Sequence, residues 1–593
     1  MDSDAPQLHP LLQPLNDAQR EAVLATDGPL LLLAGAGSGK TKTLTHRIAY
    51  LIATGKAAPH EILAVTFTNK AAHEMKKRVF NLMADSENGY GLETHRSSFS
   101  FYTSSLPVVG TFHSICVQIL RRNIHRLGFE NRFAIFDNTD SEIVMKSIMK
   151  ELGINTDQMN PKAVLSHISG AKNALLNPAR YEQQSHSYFS EKVAQLYPLY
   201  QKRLAQNQAL DFEDILMKTV ELFEQEPEVL EELQERFRYI SVDEYQDTNH
   251  AQFVLIQKLA EKYRNLCVVG DDWQSIYSWR GATMQNILDF SKNYPEAKTI
   301  KLEQNYRSTS VILNASHAVI SKNRRRTEKK LWTDREGGEQ IQVWNSLDER
   351  EEGTLIAREI QKRLLEYESP QYRDFAILYR TNAQSRVIEE TMIRHGIPYR
   401  IVGGVKFYER KEIKDVLAYL RLITNPADTV SLLRIINTPP RKIGSKTLET
   451  LQNWARRQGD MPVFSVLGQI EALGKEEADL NDGKITTLKQ FVDLITHLQK
   501  LNQDYPASGV IKHLVMESKY KEFLLDGSSE GETRFENVQE LISVAQKYNS
   551  LEPGLSLSTF LEEVALISDL DQLDEQDNAV VMMTLHSAKG LEF

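Results

Sequence analysis

Two short runs in this 593-residue chain carry side chains suited to splitting a phosphoanhydride bond. The first is AGAGSGKT, Ala34 to Thr41, set between an apolar segment and a helix-patterned one bearing Leu44, Ile48, Leu51 and Ile52. A Gly-rich loop in that context cradles phosphate. Gly35, Gly37 and Gly39 let the backbone of Ala34, Gly35, Ala36, Gly37, Ser38 and Gly39 curl so that its N–H groups face phosphate oxygens. The following helix adds the positive end of its dipole. Lys40 then reaches the β and γ phosphates, and Thr41 holds Mg2+. Ala34 stands where the strict pattern has a glycine. The second run is YISVDEYQDTN, Tyr239 to Asn249, in which a buried strand delivers Asp243 and Glu244 at its carboxyl end. Adjacent buried acids are costly unless something uses them. Asp243 would hold Mg2+ through water, and Glu244 would orient and deprotonate the water that attacks the γ-phosphate. Alone, such a pair reads as an acidic cap on the next helix; the phosphate loop shifts the reading to catalysis.

Positioning these groups requires strands that end in one place. Short apolar runs, each closed by a polar turn and followed by a helical pattern, occur at Pro29 to Leu33, Ile62 to Phe67, Val108 to Phe112, Tyr239 to Val242 and Leu266 to Val269. Strands apolar on both faces suit a parallel sheet covered by helices, with ligands beyond the carboxyl ends. From Ser114 to about Gln208 the pattern is mainly helical and interrupts the series. A second strand series is expected from near Ile300, including Ile341 to Trp344 and Phe375 to Tyr379. Helical spacing then dominates from Gly404 to Asp577, as in Ile413, Val416, Leu417, Leu420 and Ile423, and in Ile485, Leu488, Phe491, Val492 and Ile495. One more buried-strand run, Ala579 to Thr584, implies that the second sheet is interrupted like the first. The Ser- and aromatic-containing stretch Ala84 to Pro107 reads as a solvated loop.

Lys+Arg total 70 against Asp+Glu 80, a formal charge of -10, so whole-chain charge does not point to a nucleic-acid partner and local patches must. The basic run Asn323 to Lys330 is one such patch, readable either as a DNA path or as a solvated helix face. Phe67, Tyr277 and Trp279 fall in strand-end loops where base-stacking platforms belong, although core packing is the ordinary fate of an aromatic. Two distant cysteines, Cys116 and Cys267, without metal-ligand spacing, fit a reducing, cytoplasmic setting. No apolar run of membrane-spanning length and no secretory leader pattern is present, so no membrane partner is expected.

Taken together, the ordered motifs resemble those of the superfamily-one DNA helicases of the UvrD, PcrA and Rep group, over nearly the whole chain. The resemblance assigns Gln19, in LNDAQREAV, to the adenine edge. It assigns Phe67 and Asn69 of TFTNKAAHEM, with Thr111 and His113 of GTFHS, to gripping the strand. In GDDWQSIYSWRGA, Gln274 would sense the γ-phosphate while Trp279 and Arg280 touch DNA, beside Tyr277 as a candidate DNA-binding platform. In QNYRS, Tyr306 would stack on adenine and Arg307 reach the γ-phosphate. In TLHSAKGLEF, Thr584 and His586 would touch DNA and Glu592 the ribose.

The implied fold is α/β, with two RecA-like P-loop motor domains, each carrying a mainly helical insertion. The expected divisions are 1–115, 116–208 (insertion), 209–298, 299–403, 404–577 (insertion) and 578–593. The implied function is an ATP- and Mg2+-dependent DNA helicase of repair or replication, moving 3′→5′ on single-stranded DNA and acting at single/double-strand junctions. A translocase or nuclease subunit that does not unwind, and a nucleotide-gated single-stranded DNA-binding protein, are the alternatives. A P-loop kinase would leave Gln274, Tyr306 and Arg307 without a role. The family pattern continues past TLHSAKGLEF to a further arginine, so the 593-residue chain alone is expected to be impaired in turnover.

Overall fold

The computed structural model describes residues 8–84, 106–156, 158–278, 281–366, 369–381, 384–402, 408, 410–472, 475, 480–525, 529–566 and 578–591. Its strands are β1 (Leu30–Ala34), β2 (Ile62–Thr66), β3 (Val108–Thr111), β4 (Ala134–Ile135), β5 (Ala209–Leu210), β6 (Tyr239–Val242), β7 (Asn265–Gly270), β8 (Lys298–Leu302), β9 (Ala376–Tyr379), β10 (Tyr399–Ile401) and β11 (Val580–Thr584). Six of them form one sheet in the order β3-β2-β6-β7-β1-β8, every pair parallel. β1, β2 and β6 are buried along their whole length, which is why they read as unbroken apolar runs. Because all six strands run the same way, the ends of β1, β2, β3, β6 and β7 lie along one rim.

β8 corrects the expected strand series. The pattern places it at the start of a second sheet, but it pairs with β1, Leu30 opposite Lys298 through Ala34 opposite Leu302. Ile300 and Leu302 enter the core that holds Leu30, Leu32 and Ala34, while Lys298, Thr299 and Lys301 stay exposed. That alternation is the signature of an edge strand with one covered face. Ile341 to Trp344 is a second correction, for it forms no strand. Val343 is 85% exposed, and among the described residues no strand lies beside it to cover an alternating face.

The second sheet is β10-β11-β9, also parallel, with β11 in the centre. The chain therefore leaves this sheet after β10, builds the helical block, and returns to fill the middle position. Helix Lys411–Thr424 is the spine of that block, burying Ile413, Val416, Leu417, Leu420 and Ile423 against the helices that follow. The first insertion is likewise helical, and β4 pairs with β5 at its neck. Helix Phe112–Asn123 runs unbroken past residue 115, and Ile115, Cys116, Val117, Ile119 and Leu120 pack in the motor-domain core. The first insertion thus leaves the motor domain nearer β4. The stretch 85–105 lies outside the described residues.

Where that insertion rejoins the motor domain, Lys172 is fully buried between two carboxylates. Its Nζ is 2.6 Å from Asp211 Oδ2 and 2.9 Å from Asp214 Oδ1. Asp211 also caps helix Phe212–Gln225 by accepting the Asp214 N–H. Lys172→Ala leaves both acids without their cation and is expected to destabilise the junction by about 3–5 kcal/mol. Amide hydrogen exchange in helices Pro161–Asn173 and Phe212–Gln225 measures this, and unchanged protection would contradict it.

Candidate active site

The loop after β1 is shaped by what holds its carbonyls. Ser38 Oγ donates to the Gly35 carbonyl at 2.8 Å, Asn305 Nδ2 to Ala36 at 2.6 Å, the Tyr306 N–H to Gly37 at 2.9 Å, and Gln19 Nε2 to Ser38 at 3.0 Å. Engaging these carbonyls fixes the curl of the loop, the geometry that turns amide N–H groups toward a phosphate, although the Gly35 N–H is itself spent on the Leu302 carbonyl at 3.2 Å. Gly37 and Gly39 lie in the left-handed region, φ 64° and 78°. A Cβ at Gly37 would come 2.7 Å from Asn305 Nδ2, and one at Gly39 would come 2.7 Å from Gln19 Nε2. Helix Lys40–Ala53 begins directly after Gly39.

Across the cleft, β6 ends on the two acids. Lys40 Nζ sits 3.2 Å from both carboxylate oxygens of Glu244, and Thr41 Oγ1 donates to Asp243 Oδ2 at 3.5 Å. Burial pulls the Lys40 ammonium toward its neutral form, but the carboxylates of Glu244, Asp271 and Asp243 outweigh it and hold its pKa above the ordinary lysine value. Burial, then the adjacent Glu244 charge, push Asp243 upward. Glu244 is also buried, yet Lys40 and then Lys589 hold it below the usual carboxylate range. Two neighbouring carboxylates driven apart in this way are suited to different tasks. Glu244, ionised and fixed by Gln246 Nε2 at 2.6 Å, has the state of a general base. Its backbone is left-handed, φ 51°, unusual for a non-glycine residue and typical of strained functional positions. The oxygen-only pair of Thr41 and Asp243 fits Mg2+, which is commonly held by one or two protein oxygens together with phosphates and water.

The segment after β7 brings the expected γ-phosphate sensor to the same place. Gln274 Nε2 donates to Asp271 Oδ2 at 2.6 Å, and the Asp271 N–H donates to Gln246 Oε1 at 2.9 Å. Asp271 and Asp272 share one cation, the fully buried Lys329, whose Nζ is 2.6 Å and 2.8 Å from their Oδ1 atoms. Neither reading of the basic run holds for this lysine: residues 323–330 form no helix, and Lys329 is a buried counter-ion rather than a free contact for DNA. Arg324 and Arg325 remain exposed. Lys329 and Asn305 were missed as site residues. The available signal was the Asp271–Asp272 pair itself, because two acids at the end of a buried strand demand a cation from elsewhere.

The remaining assigned residues divide by place. Tyr306, about half exposed, donates to Gln304 Oε1 and accepts from Asn16 Nδ2 at 2.7 Å, beside the helix that carries Gln19. Gln19 itself is buried, its amide spent on Ser38 and, through Oε1, on the Asn16 N–H at 3.2 Å. Arg307 follows with its N–H on Asn305 Oδ1, its Cβ close over Gly37. Along the rim, the Phe67 and Tyr277 rings are parallel within 4° with centroids 6.4 Å apart, near twice the roughly 3.4 Å base rise. Asn69 opens helix Asn69–Ala84. Thr111 is the buried cap of helix Phe112–Asn123, and His113 meets Phe212 edge-on at 5.4 Å. Thr584 caps helix Leu585–Ala588, and the His586 carbonyl accepts from the Tyr277 hydroxyl at 2.8 Å. Trp279, Arg280 and Glu592 lie outside the described residues.

Comparison with known proteins gives two family matches: the UvrD/REP helicase N-terminal domain over residues 15–295, and the UvrD-like helicase C-terminal domain over residues 300–593. The chain is 46% identical over 590 residues to the ATP-dependent DNA helicase PcrA of Staphylococcus aureus, covering 99% of this chain and 77% of the relative. It is 45% identical over 591 residues to the protein of that name from Bacillus subtilis, covering 98% and 77%. Among the described residues no helix is long and apolar enough to cross a membrane.

If Glu244 acts on water and Lys40 on phosphate, as the sequence implies, their variants should separate. Glu244→Gln is expected to keep triphosphate affinity and lower hydrolysis about 10²–10⁴-fold, whereas Lys40→Ala should lose affinity itself. Equilibrium binding of a fluorescent ATP analogue beside a phosphate-release assay distinguishes them; parent-rate hydrolysis by Glu244→Gln would remove it as the base.

Proposed function

This chain belongs to the UvrD/REP helicase family, and from that premise we propose how its own residues run an ATP-dependent DNA helicase. Lys40 and the loop N–H groups bind the β and γ phosphates, Gln19 and Tyr306 border the adenine, and Arg307 approaches the γ-phosphate from the side opposite Lys40. Glu244 orients a water and takes its proton. Bound through Thr41 and Asp243, Mg2+ would neutralise phosphate charge as the leaving group departs. Phosphate entering beside Lys40 competes with Glu244 for its ammonium, so nucleotide entry loosens the hold on the base.

One observation carries the link from hydrolysis to movement. Gln274 and Tyr277 stand three residues apart on one segment, the first bonded into the carboxylate cluster of the cleft and the second parallel to Phe67 on the rim. A shift of that segment with nucleotide state changes the gap that holds a base. Phe67, Tyr277, Asn69, Thr111, His113, Thr584 and His586 line the proposed path of the single strand, with Trp279 and Arg280 keeping the role their motif implies. The family resemblance supports 3′→5′ movement, loading at single/double-strand junctions and a place in cytoplasmic DNA repair or replication.

Two measurements test this reading. With enzyme in excess over duplex, strand release from a 3′-tailed duplex and none from a 5′-tailed one is expected; the reverse preference contradicts the polarity, and ATP-driven movement without release favours a translocase. Tyr277→Ala is expected to weaken binding to oligothymidylate by about 1–3 kcal/mol, the worth of one stacked base, with DNA-free nucleotide affinity unchanged. Unaltered DNA affinity at fixed salt would return Tyr277 to a packing role.

A further inference from the structure

We propose that Lys589 is a positioning residue that latches the second sheet onto the first and thereby couples the nucleotide cleft to the strand-gripping rim. This rests on the helicase reading above and assigns a role to a residue that reading leaves unused. Lys589 follows β11 and helix Leu585–Ala588, so it is carried by the second sheet. Its side chain is only 7% exposed, and among the described residues its ion pair, side-chain hydrogen bond and ring contact are to the first domain. The ammonium pairs with the Asp247 carboxylate, donates to the Gln274 carbonyl at 2.5 Å, and lies 4.9 Å from the centre of the Tyr277 ring. One group from the second sheet therefore touches the backbone of the γ-phosphate sensor, a rim aromatic, and an acid three residues beyond Glu244.

Asp247 shows why the contact acts as a latch. It is buried at the end of a short turn, and its Oδ1 has no hydrogen-bond partner among the described residues. Among the described residues of its own domain, its side-chain hydrogen-bond partner is Gln246 Nε2, at 3.5 Å. Its charge is balanced chiefly from the other sheet, with a smaller contribution from Lys40. Burial pushes Asp247 up to about 6 even with Lys589 present. Parting of the sheets would remove the Lys589 ammonium from Asp247 and return it to water. With the sheets together the two ions pair in a dry place, where the pair is favourable only if the geometry is good. Such an arrangement has two states rather than a continuum. In the closed state the same ammonium fixes the Gln274 backbone and the Tyr277 face, and its charge helps keep Glu244 ionised. Nucleotide that favours closure is then felt at the rim, and strand that holds Tyr277 in place is felt at the cleft.

The test is the ratio of oligothymidylate Kd values, without and with a saturating non-hydrolysable ATP analogue, for the 593-residue chain. The parent ratio should differ from one by about fivefold or more, the lower end of typical coupling. Lys589→Met should bring it below about twofold, while analogue affinity without DNA and DNA affinity without analogue each stay within about threefold. Lys589→Arg should restore part of the ratio, and should Lys589→Met not fold, Lys589→Gln replaces it. Asp247→Asn should lose the ratio too, and the Asp247→Asn/Lys589→Met double variant should be no worse than either, because a pair acts as one unit. A parent that binds neither ligand would defeat the helicase reading itself. A parent that binds both with a ratio near one, or a Lys589→Met protein that keeps the parent ratio, would overturn the latch. So would one that loses both affinities while the ratio persists, which is what a merely structural lysine does.

Discussion

Five carboxylates crowd the carboxyl rim of the first sheet: Asp243, Glu244, Asp247, Asp271 and Asp272. Each is buried or nearly so, and like charges in a low-dielectric place cannot remain ionised without cations. Three lysines supply them from three parts of the chain. Lys40 comes from the phosphate loop, Lys329 from the strap beyond the QNYRS segment, and Lys589 from the end of the second sheet. The fold brings those lysines together from positions that span most of the sequence. A chain with the acids but without the returning strap and the second sheet would hold uncompensated charge at the place where it needs a precise base.

The parallel sheet makes this possible at small cost in chain. Since β1, β6 and β7 adjoin in the order β6-β7-β1, the phosphate loop, the acid pair and the sensor segment emerge side by side. β2 and β3 extend the same rim, placing Phe67 and Thr111 beyond the acids rather than on the far face. The proposed nucleotide and strand contacts are then neighbours along one edge, and a segment as short as Gln274 to Tyr277 spans them.

Local chemistry was legible in the sequence because it is local. The glycines that curl the loop, the strand that delivers Asp243 and Glu244, and the return of the chain as β11 all leave signals within a few residues. Long-range partners leave none. Lys329 looks like its exposed neighbours Arg324 and Arg325 until the strap is folded over Asp271 and Asp272. β8 looks like the start of a new series, because its alternating exposure reports an edge without saying of which sheet. Ile341 to Trp344 has a strand's composition, but composition cannot create a neighbour to pair with. The motif places Gln19 at adenine, whereas its burial against the Ser38 carbonyl shows it shaping the loop, which no spacing rule reveals.

The account stands on nucleotide chemistry and strand grip sharing one rim, so strand binding must reach the catalytic acids. The direct measurement is the hydrolysis rate of this chain at saturating ATP with saturating oligothymidylate, divided by its rate without DNA. A ratio of at least about fivefold is the predicted result, whatever the absolute rate. A ratio of one, with DNA shown to be bound under the same conditions, would mean that the rim and the cleft are merely adjacent.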